Sequence, residues 1–274
     1  MIELMIVANL WEVFIGIESP DETVLETSHK FHNIKNPLVE SLGNLKRSGM
    51  EVIGSFIIGL DGERSGAGER ICAFIEQAEI PVAMLGVLQA APHTRLWQRL
   101  EKEGRLRQDM DDMGTFSALN YLPDRPEAEI MKEYVEAWDY LYEPSRYFAR
   151  VYRYYLAMRP VRRDPEQAAG GPRRPADAPQ RRVTRRQRLN QLRSIGKILW
   201  WQGIRPPYRL QFWTQLIGMW RQNPSRLKQY CVTCVEGEDF FDMRRMVREK
   251  ITALIKERQI EVSAAASCRG AAIQ

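Results

Sequence analysis

Three apolar segments, each running into a polar or glycine-bearing turn and then a stretch of helical period, constrain this chain more than any other feature. Trp11–Ile17 reads WEVFIGI, Glu51–Ile58 reads EVIGSFII and Val82–Leu88 reads VAMLGVL. All are rich in β-branched or large apolar residues, as strands covered on both faces should be. Helix candidates lie beside them at Ile2–Asn9, at Pro37–Ser48 with Gly49 placed to stop it, and at Ala67–Glu79. The strand ends fall about 30 to 40 residues apart, the length of a strand, a loop and a crossover helix. This alternation predicts an α/β fold built of repeated βα units with a parallel sheet. Three such strands leave two unprotected sheet edges, whereas eight units close a barrel, so the chain reads as the second part of something larger.

After Pro92 the pattern turns helical. A helix is expected over Thr94–Glu103, then a long one from about Pro126 with Ile130, Tyr134, Ala137, Trp138 and Leu141 on one face. Arg159 to Arg188 holds ten arginines, several prolines and Gly170-Gly171, the composition of a flexible linker. Beyond it Leu189, Leu192, Ile195 and Leu199 share a helical face, and Leu210, Trp213, Leu216, Ile217 and Trp220 share another. Asn223-Pro224 reads as a cap with proline at the first helical position, and Phe240–Leu254 carries a further stripe. The expected organisation is a βα array over 1–125, a connecting long helix over 126–160, a linker over 161–186, a helical domain over 187–260 and a disordered tail over 261–274.

With 274 residues and 44% hydrophobic content the chain buries a core, which excludes a fully disordered protein. Four cysteines are too few for a disulfide scaffold, and no secretory leader opens the sequence, so a cytoplasmic location is expected. No run approaches the roughly 18 apolar residues of a membrane span. The net charge of +5 hides a division: residues 1–149 hold 14 Lys+Arg against 25 Asp+Glu, and residues 150–274 hold 26 against 10. The acidic front and basic back point to two differently charged surfaces.

Parallel α/β sheets bind ligands at the carboxyl ends of their strands. The first strand ends in Glu18-Ser19, a carboxylate and a hydroxyl able to hydrogen-bond ribose hydroxyls, or equally a polar pair capping the next helix. The second ends Ser55-Phe56-Ile57-Ile58-Gly59-Leu60-Asp61-Gly62-Glu63. Its glycines permit a tight turn, and Ile57 offers an apolar edge to a flat ring, although most such turns are only turns. The third passes through Leu88-Gln89-Ala90, where exposed backbone can pair with a heterocycle, and Thr94 is a helix N-cap.

Taken together, FIGIESPDETVL, VIGSFIIGLDGER and MLGVLQAAPHTRLW resemble radical S-adenosylmethionine (SAM) enzymes, within them the cobalamin-binding, methyltransferase-like group that includes hopanoid C-methylases. ILWWQGIRPPYRLQFW and NPSRLKQYCVTCVEGEDFF resemble that group's helical C-terminal extension. The resemblance implies the second part of a TIM-type radical SAM barrel, strands four to six, followed by an α-helical domain. It places Glu18 and Ser19 at the ribose and Leu88 and Gln89 at the adenine. Ser55, Ile57, Gly59, Gly62 and Glu63 fall on a GxIxGxxGE motif whose first glycine is here serine. It also implies a [4Fe–4S] cluster and cobalamin in the complete enzyme, which would methylate an unactivated carbon of a small-molecule or lipid substrate. The CxxxCxxC motif, the cobalamin domain and the first three strands are absent from this sequence, so the chain is expected to be inactive alone and to supply a partial SAM site. An accessory subunit completing a separate polypeptide that carries the N-terminal half is the alternative.

Cys231 and Cys234 form a CxxC with no second pair or nearby histidine, and packing is expected of them, as of Cys72 within its helix; Cys268 lies in the tail. No metal site is expected at His29, His32 or His93. For the basic back, three readings stand: neutralisation of the acidic front, contact of Trp200, Trp201, Trp213 and Trp220 with Arg205, Arg209 and Arg221 at an anionic membrane surface, and, last, nucleic acid.

Overall fold

The computed structural model describes residues 2–8, 10–27, 38–107, 118–161, 200, 202–204 and 206–271. The front is built in the expected order, α1 (Ile2–Val7), β1 (Glu12–Glu18), α2 (Glu22–Thr27), α3 (Leu38–Ser48), β2 (Glu51–Ile58), α4 (Ala67–Ala78), β3 (Val82–Val87) and α5 (Arg95–Lys102). The strands form one parallel sheet in the order β1-β2-β3, with Ile53 opposite Val82 and Gly16 opposite Ser55. At the end of β1 the register shifts, so that Glu18 stands opposite Phe56. Glu79 closes α4 in the left-handed region, and the Thr94 hydroxyl caps α5 by accepting from the Trp97 N–H.

One sheet face is buried. Ile17, Val52, Phe56, Ile58, Ala83, Leu85 and Val87 pack there in a core shared with Ile71 and Ile75 of α4. The opposite face departs from the expectation of strands covered on both sides: Phe14 is 64% and Met84 46% exposed, and Ser55, Ile57 and Leu88 are half-buried. A run of apolar residues looks alike in a strand buried on one face or on two, so sequence period does not separate them.

The outer edge of β3 is sealed by side chains of α6 (Glu127–Leu141) and of Tyr142, the residue next to its end. The Tyr142 hydroxyl accepts from the Ala83 N–H at 3.1 Å and donates to the Ala83 carbonyl, while Trp138 Nε1 donates to the Leu85 carbonyl at 3.3 Å. These bonds occupy groups a further strand would need, so the sheet stops at β3 on this side. At the other edge β1 pairs only with β2 among the described residues.

The long helix expected from Pro126 is two helices. α6 stops at Tyr142, and α7 (Pro144–Ala157) begins with Glu143 as N-cap, its carboxylate accepting from the Arg146 N–H at 2.9 Å, and proline in the first turn. α7 crosses the amino-terminal end of the sheet: Tyr154 donates to the Met50 carbonyl at 2.7 Å and Tyr155 to the Glu51 carboxylate at 2.6 Å. Fully buried Arg150 donates to the Ile80 and Leu141 carbonyls and pairs with Glu76 at 2.8 Å.

The back comprises α8 (Arg209–Gln222), a 3₁₀ turn (Pro224–Arg226) and α9 (Leu227–Ala271). These helices share the core of the front: Thr233 of α9 donates to Glu51 of β2 at 3.0 Å, and Val247 and Ile251 of the expected stripe are buried. Asn223 and Pro224 hold the N-cap and first-turn positions of the 3₁₀ turn as expected, but the Asn223 side chain makes no capping bond to it; its amide donates to the Tyr155 and Met158 carbonyls and so closes the end of α7. In α8 the shared face of Leu210, Trp213, Leu216, Ile217 and Trp220 is exposed except at Leu216, which packs against the core at the edge of the buried side formed by Phe212, Gln215 and Met219. α9 runs on to Ala271, into the segment expected as a tail. Leu189, Leu192, Ile195 and Leu199, the body of the linker, Trp201, Arg205, His29 and His32 lie outside the described residues. Part of the charge division resolves internally, since Arg153 pairs with Glu76 and Glu79, and Arg244 and Arg248 with Asp139.

Candidate functional site

The carboxyl ends of the strands converge on the turns after β1, β2 and β3. Glu18 lies in the left-handed region with φ 69°, the conformation that lets β1 leave the sheet directly after its register shift. Its carboxylate folds back over Gly16: a Cβ on Gly16 would come within 2.9 Å of Glu18 Oε1. Glycine at 16 therefore makes room for a carboxylate lying against the open sheet face. Across the sheet, a Cβ on Gly86 would meet nothing within 4 Å, so β3 also presents free space there. Ser55 and Ile57 of β2 and Leu88 after β3 are half-buried, and their alternation with buried Phe56, Ile58 and Val87 puts them on this same face. The structure thus brings Glu18, Ser55, Ile57 and Leu88 together at one end of one face, with half-buried Gln89 next to Leu88.

Ser19 and Gly59 are placed differently. Ser19 is buried, and its hydroxyl accepts from the Asp21 N–H at 3.2 Å, shaping the turn into α2. Gly59 has φ 96°, and both of its backbone polar groups are taken: its N–H donates to Glu63 Oε2 at 2.8 Å and its carbonyl accepts from the Tyr121 hydroxyl. The Ala90 backbone is likewise occupied, its N–H and carbonyl each bonded at 2.9 Å to the side-chain amide of buried Asn120. The expectation that the backbone after β3 pairs with a heterocycle therefore does not extend to Ala90.

A clamp of charged groups holds the β2 turn. Arg125 grips Glu133 through two bonds, at 2.8 and 2.9 Å, and reaches Glu63 at 3.1 Å. Glu133 in turn accepts from the Gly66 and Gly68 N–H groups at the start of α4, at 2.7 and 3.3 Å. Burial raises the Glu63 pKa above the ordinary carboxylate value, with Gly59 and Arg125 only partly offsetting it. Burial also acts to raise that of Glu133, but the Arg125 guanidinium and the two amides outweigh it and hold the carboxyl below that value. Asp61, at the tip of the turn, pairs with Arg99 and with Arg105 at 2.9 Å. The Arg105 guanidinium lies 5.8 Å from the centre of the Tyr121 ring, which a short antiparallel bridge between Leu106 and Tyr121 holds in place. Glu63 was readable within the turn motif. Asn120, Tyr121, Arg125 and Glu133 were not, because their partners lie as far as 67 residues away and they obey no period of their own.

Cys72 and Cys234 are buried and Cys231 is half-buried. Burial pushes the Cys72 thiol up to about 12 and the Cys231 thiol up to about 11, and raises fully buried Cys234 well above its ordinary value. Among the described residues no group of His, Cys, Asp and Glu is arranged to hold a metal ion. A groove between α4 and α6, lined by Gly68, Cys72, Glu133 and Tyr140, includes none of the residues expected at the nucleoside.

The chain is 34% identical over 258 residues to an uncharacterized methyltransferase of Synechocystis sp., covering 94% of this chain and 45% of that protein. It is also 34% identical over 213 residues to the hopanoid C-2 methylase of Rhodopseudomonas palustris, covering 78% of this chain and 37% of that protein. The chain therefore spans less than half the length of the curated relatives it matches. Residues 94–253, which contribute Arg99, Arg105, Asn120, Tyr121, Arg125 and Glu133 to the clamps on the strand ends, match the family described as a domain of unknown function, DUF4070. Since that match takes in more than half of the 274 residues, the chain belongs to the DUF4070 family.

Proposed function

We propose that this chain supplies the ribose and adenine side of an S-adenosylmethionine site in a cobalamin-dependent radical SAM methyltransferase. In this reading β1 to β3 are strands four to six of a partial TIM-type barrel. The carrying observation is the Glu18 carboxylate laid over Gly16 on an open sheet face, at the strand ends where such sheets take ligands. Glu18 accepts from the ribose hydroxyls, Ser55 adds a hydroxyl beside it, and Ile57 and Leu88 give apolar edges to the adenine, with Gln89 at its rim. The two relatives, one named a methyltransferase and one a hopanoid C-2 methylase, support methyl transfer to an unactivated carbon of a small-molecule or lipid acceptor as the chemistry of the complete enzyme.

A [4Fe–4S] cluster does not fit the described residues, because Cys72, Cys231 and Cys234 are protonated thiols set into helix packing. No step is therefore assigned to the cluster or to cobalamin through this chain. Both belong, on this proposal, to polypeptide outside residues 1–274 that joins at the outer edge of β1, in the same or a separate chain.

Saturation-transfer NMR with S-adenosylmethionine tests the assignment. The ribose and adenine protons should receive saturation from the wild-type chain, Glu18→Ala should lose the ribose signal, and Gly16→Ala should weaken it by displacing the carboxylate while changing stability by about 0.5 kcal/mol or less. Saturation that is absent, or untouched by Glu18→Ala, overturns the site. Sustained release of 5′-deoxyadenosine by the chain alone, given iron, sulfide and reductant, overturns the division of labour.

A further inference from the structure

α8 carries an apolar face that is largely exposed among the described residues. α8 packs through Phe212, Gln215 and Met219, with the Gln215 side chain accepting from the Tyr230 hydroxyl of α9. The α7 residue Tyr152 lies against Gly218. On the opposite side Leu210 is 75%, Trp220 63%, Ile217 46% and Trp213 37% exposed. At 100° per residue these four lie within one quadrant of the helix, spread over about 15 Å of its length. The ridge continues sideways: Trp213 Nε1 donates to the Gly203 carbonyl at 2.8 Å, next to exposed Ile204.

Charge distinguishes what such a ridge can meet. α8 contains no acidic residue, exposed Arg209 and Arg221 stand near its two ends, and Lys228 stands at the start of α9. α8 meets α7 and α9 through its other side, and the ridge lines neither the groove between α4 and α6 nor the one beside Trp11 and Lys228. Tryptophan, leucine and isoleucine on an exposed helix face, with arginines near both ends and no acidic residue between them, suit a flat anionic layer, with apolar side chains dipping below the headgroups and guanidinium groups at their level. No described helix is long and apolar enough to cross a bilayer, so the contact is superficial.

We infer that α8 docks this chain on the surface of an anionic lipid bilayer. The inference does not depend on the nucleoside site.

Flotation of the purified full chain with two vesicle types tests it, one of phosphatidylcholine and one of phosphatidylcholine mixed with phosphatidylglycerol. The chain should float with the mixed vesicles and far less with the neutral ones, with a blue shift of tryptophan emission. Ile217→Ser with Trp220→Ser, both at exposed positions, should keep the circular dichroism and melting temperature and weaken partition by about tenfold or more. Arg209→Gln with Arg221→Gln should lower partition only into the anionic vesicles and reduce its sensitivity to salt. Absence of flotation with either vesicle, or flotation unchanged by the Ile217/Trp220 pair, overturns the inference. So does a solution dimer that this pair dissolves in a chain that never floats, which would give the face to a second copy.

Discussion

Replacing Arg125 with methionine should be among the costliest single changes outside the apolar core, and the reason lies in what it holds. The Glu63 side chain is 1% exposed and has Arg125 as its salt-bridge partner, at 3.1 Å; Glu133, 11% exposed, loses two bonds in the same substitution. Removing one partner of a buried pair costs about 3–5 kcal/mol, chiefly through the uncompensated charge left behind. Here some of that is relieved, because Glu63 already holds its proton above the ordinary carboxylate value and takes it up more readily without Arg125. A loss of about 3 kcal/mol at neutral pH is the working figure. It should shrink with acid: Glu133 has a lowered pKa, so its stabilisation is present above the ordinary value of 4.5 and is lost as pH falls through its folded value. Urea unfolding monitored by tryptophan emission measures the loss, provided the slope is unchanged. Adding Glu63→Gln to Arg125→Met should recover a good part of it. Hydrogen exchange adds a local readout, with the Gly59, Gly66 and Gly68 amides exchanging faster in Arg125→Met and the Ala83 amide unaffected. A loss below about 0.5 kcal/mol at neutral pH, with those amides unchanged, would refute the clamp and leave Arg125 as an ordinary screened surface charge.

Three further expectations concern the frame around the site. Tyr142→Phe leaves the Ala83 N–H and carbonyl on the β3 edge unpaired and should cost about 2 kcal/mol, with faster exchange of the Ala83 amide and a greater tendency to aggregate. Burial raises the Glu51 pKa, so the stability it contributes is full below 4.5 and declines as pH rises through its folded value; Glu51→Gln should flatten that decline in melting temperature measured across the range. Cys72, Cys231 and Cys234 should resist iodoacetamide at neutral pH in the folded chain and react once urea unfolds it, as peptide mass spectrometry will show.

Secondary structure was legible wherever its cause is local. The period-2 and period-3.6 patterns located β1, β2, β3, α4, α5 and α6, and the inward stripe of α6 came through because all of Ile130, Tyr134, Ala137, Trp138 and Leu141 are buried. The same reading gave α8 a shared apolar face without saying which side meets the core. Its sequence is apolar on two sides, and periodicity cannot tell which of them meets a neighbour until α7 and α9 are in place. It also ran α6 and α7 together, although Glu143-Pro144 holds a cap and a proline, because the break also depends on Tyr142 finding Ala83. At the candidate site, Glu18, Ile57 and Leu88 were recognisable from strand ends and turn chemistry. That Ser19 and Gly59 are instead committed to their own turns became visible only with Asp21, Glu63 and Tyr121 in position.

The sequence alone determined that this chain forms parallel βα units with a helical back, because hydrophobic period and turn residues act over a few positions. The tertiary structure decided which sheet face stays open, what seals the edge of β3 and which ion triad holds the β2 turn. Those outcomes rest on hydrogen bonds and charge pairs between residues dozens of positions apart, whose strength comes from burial that no local pattern encodes.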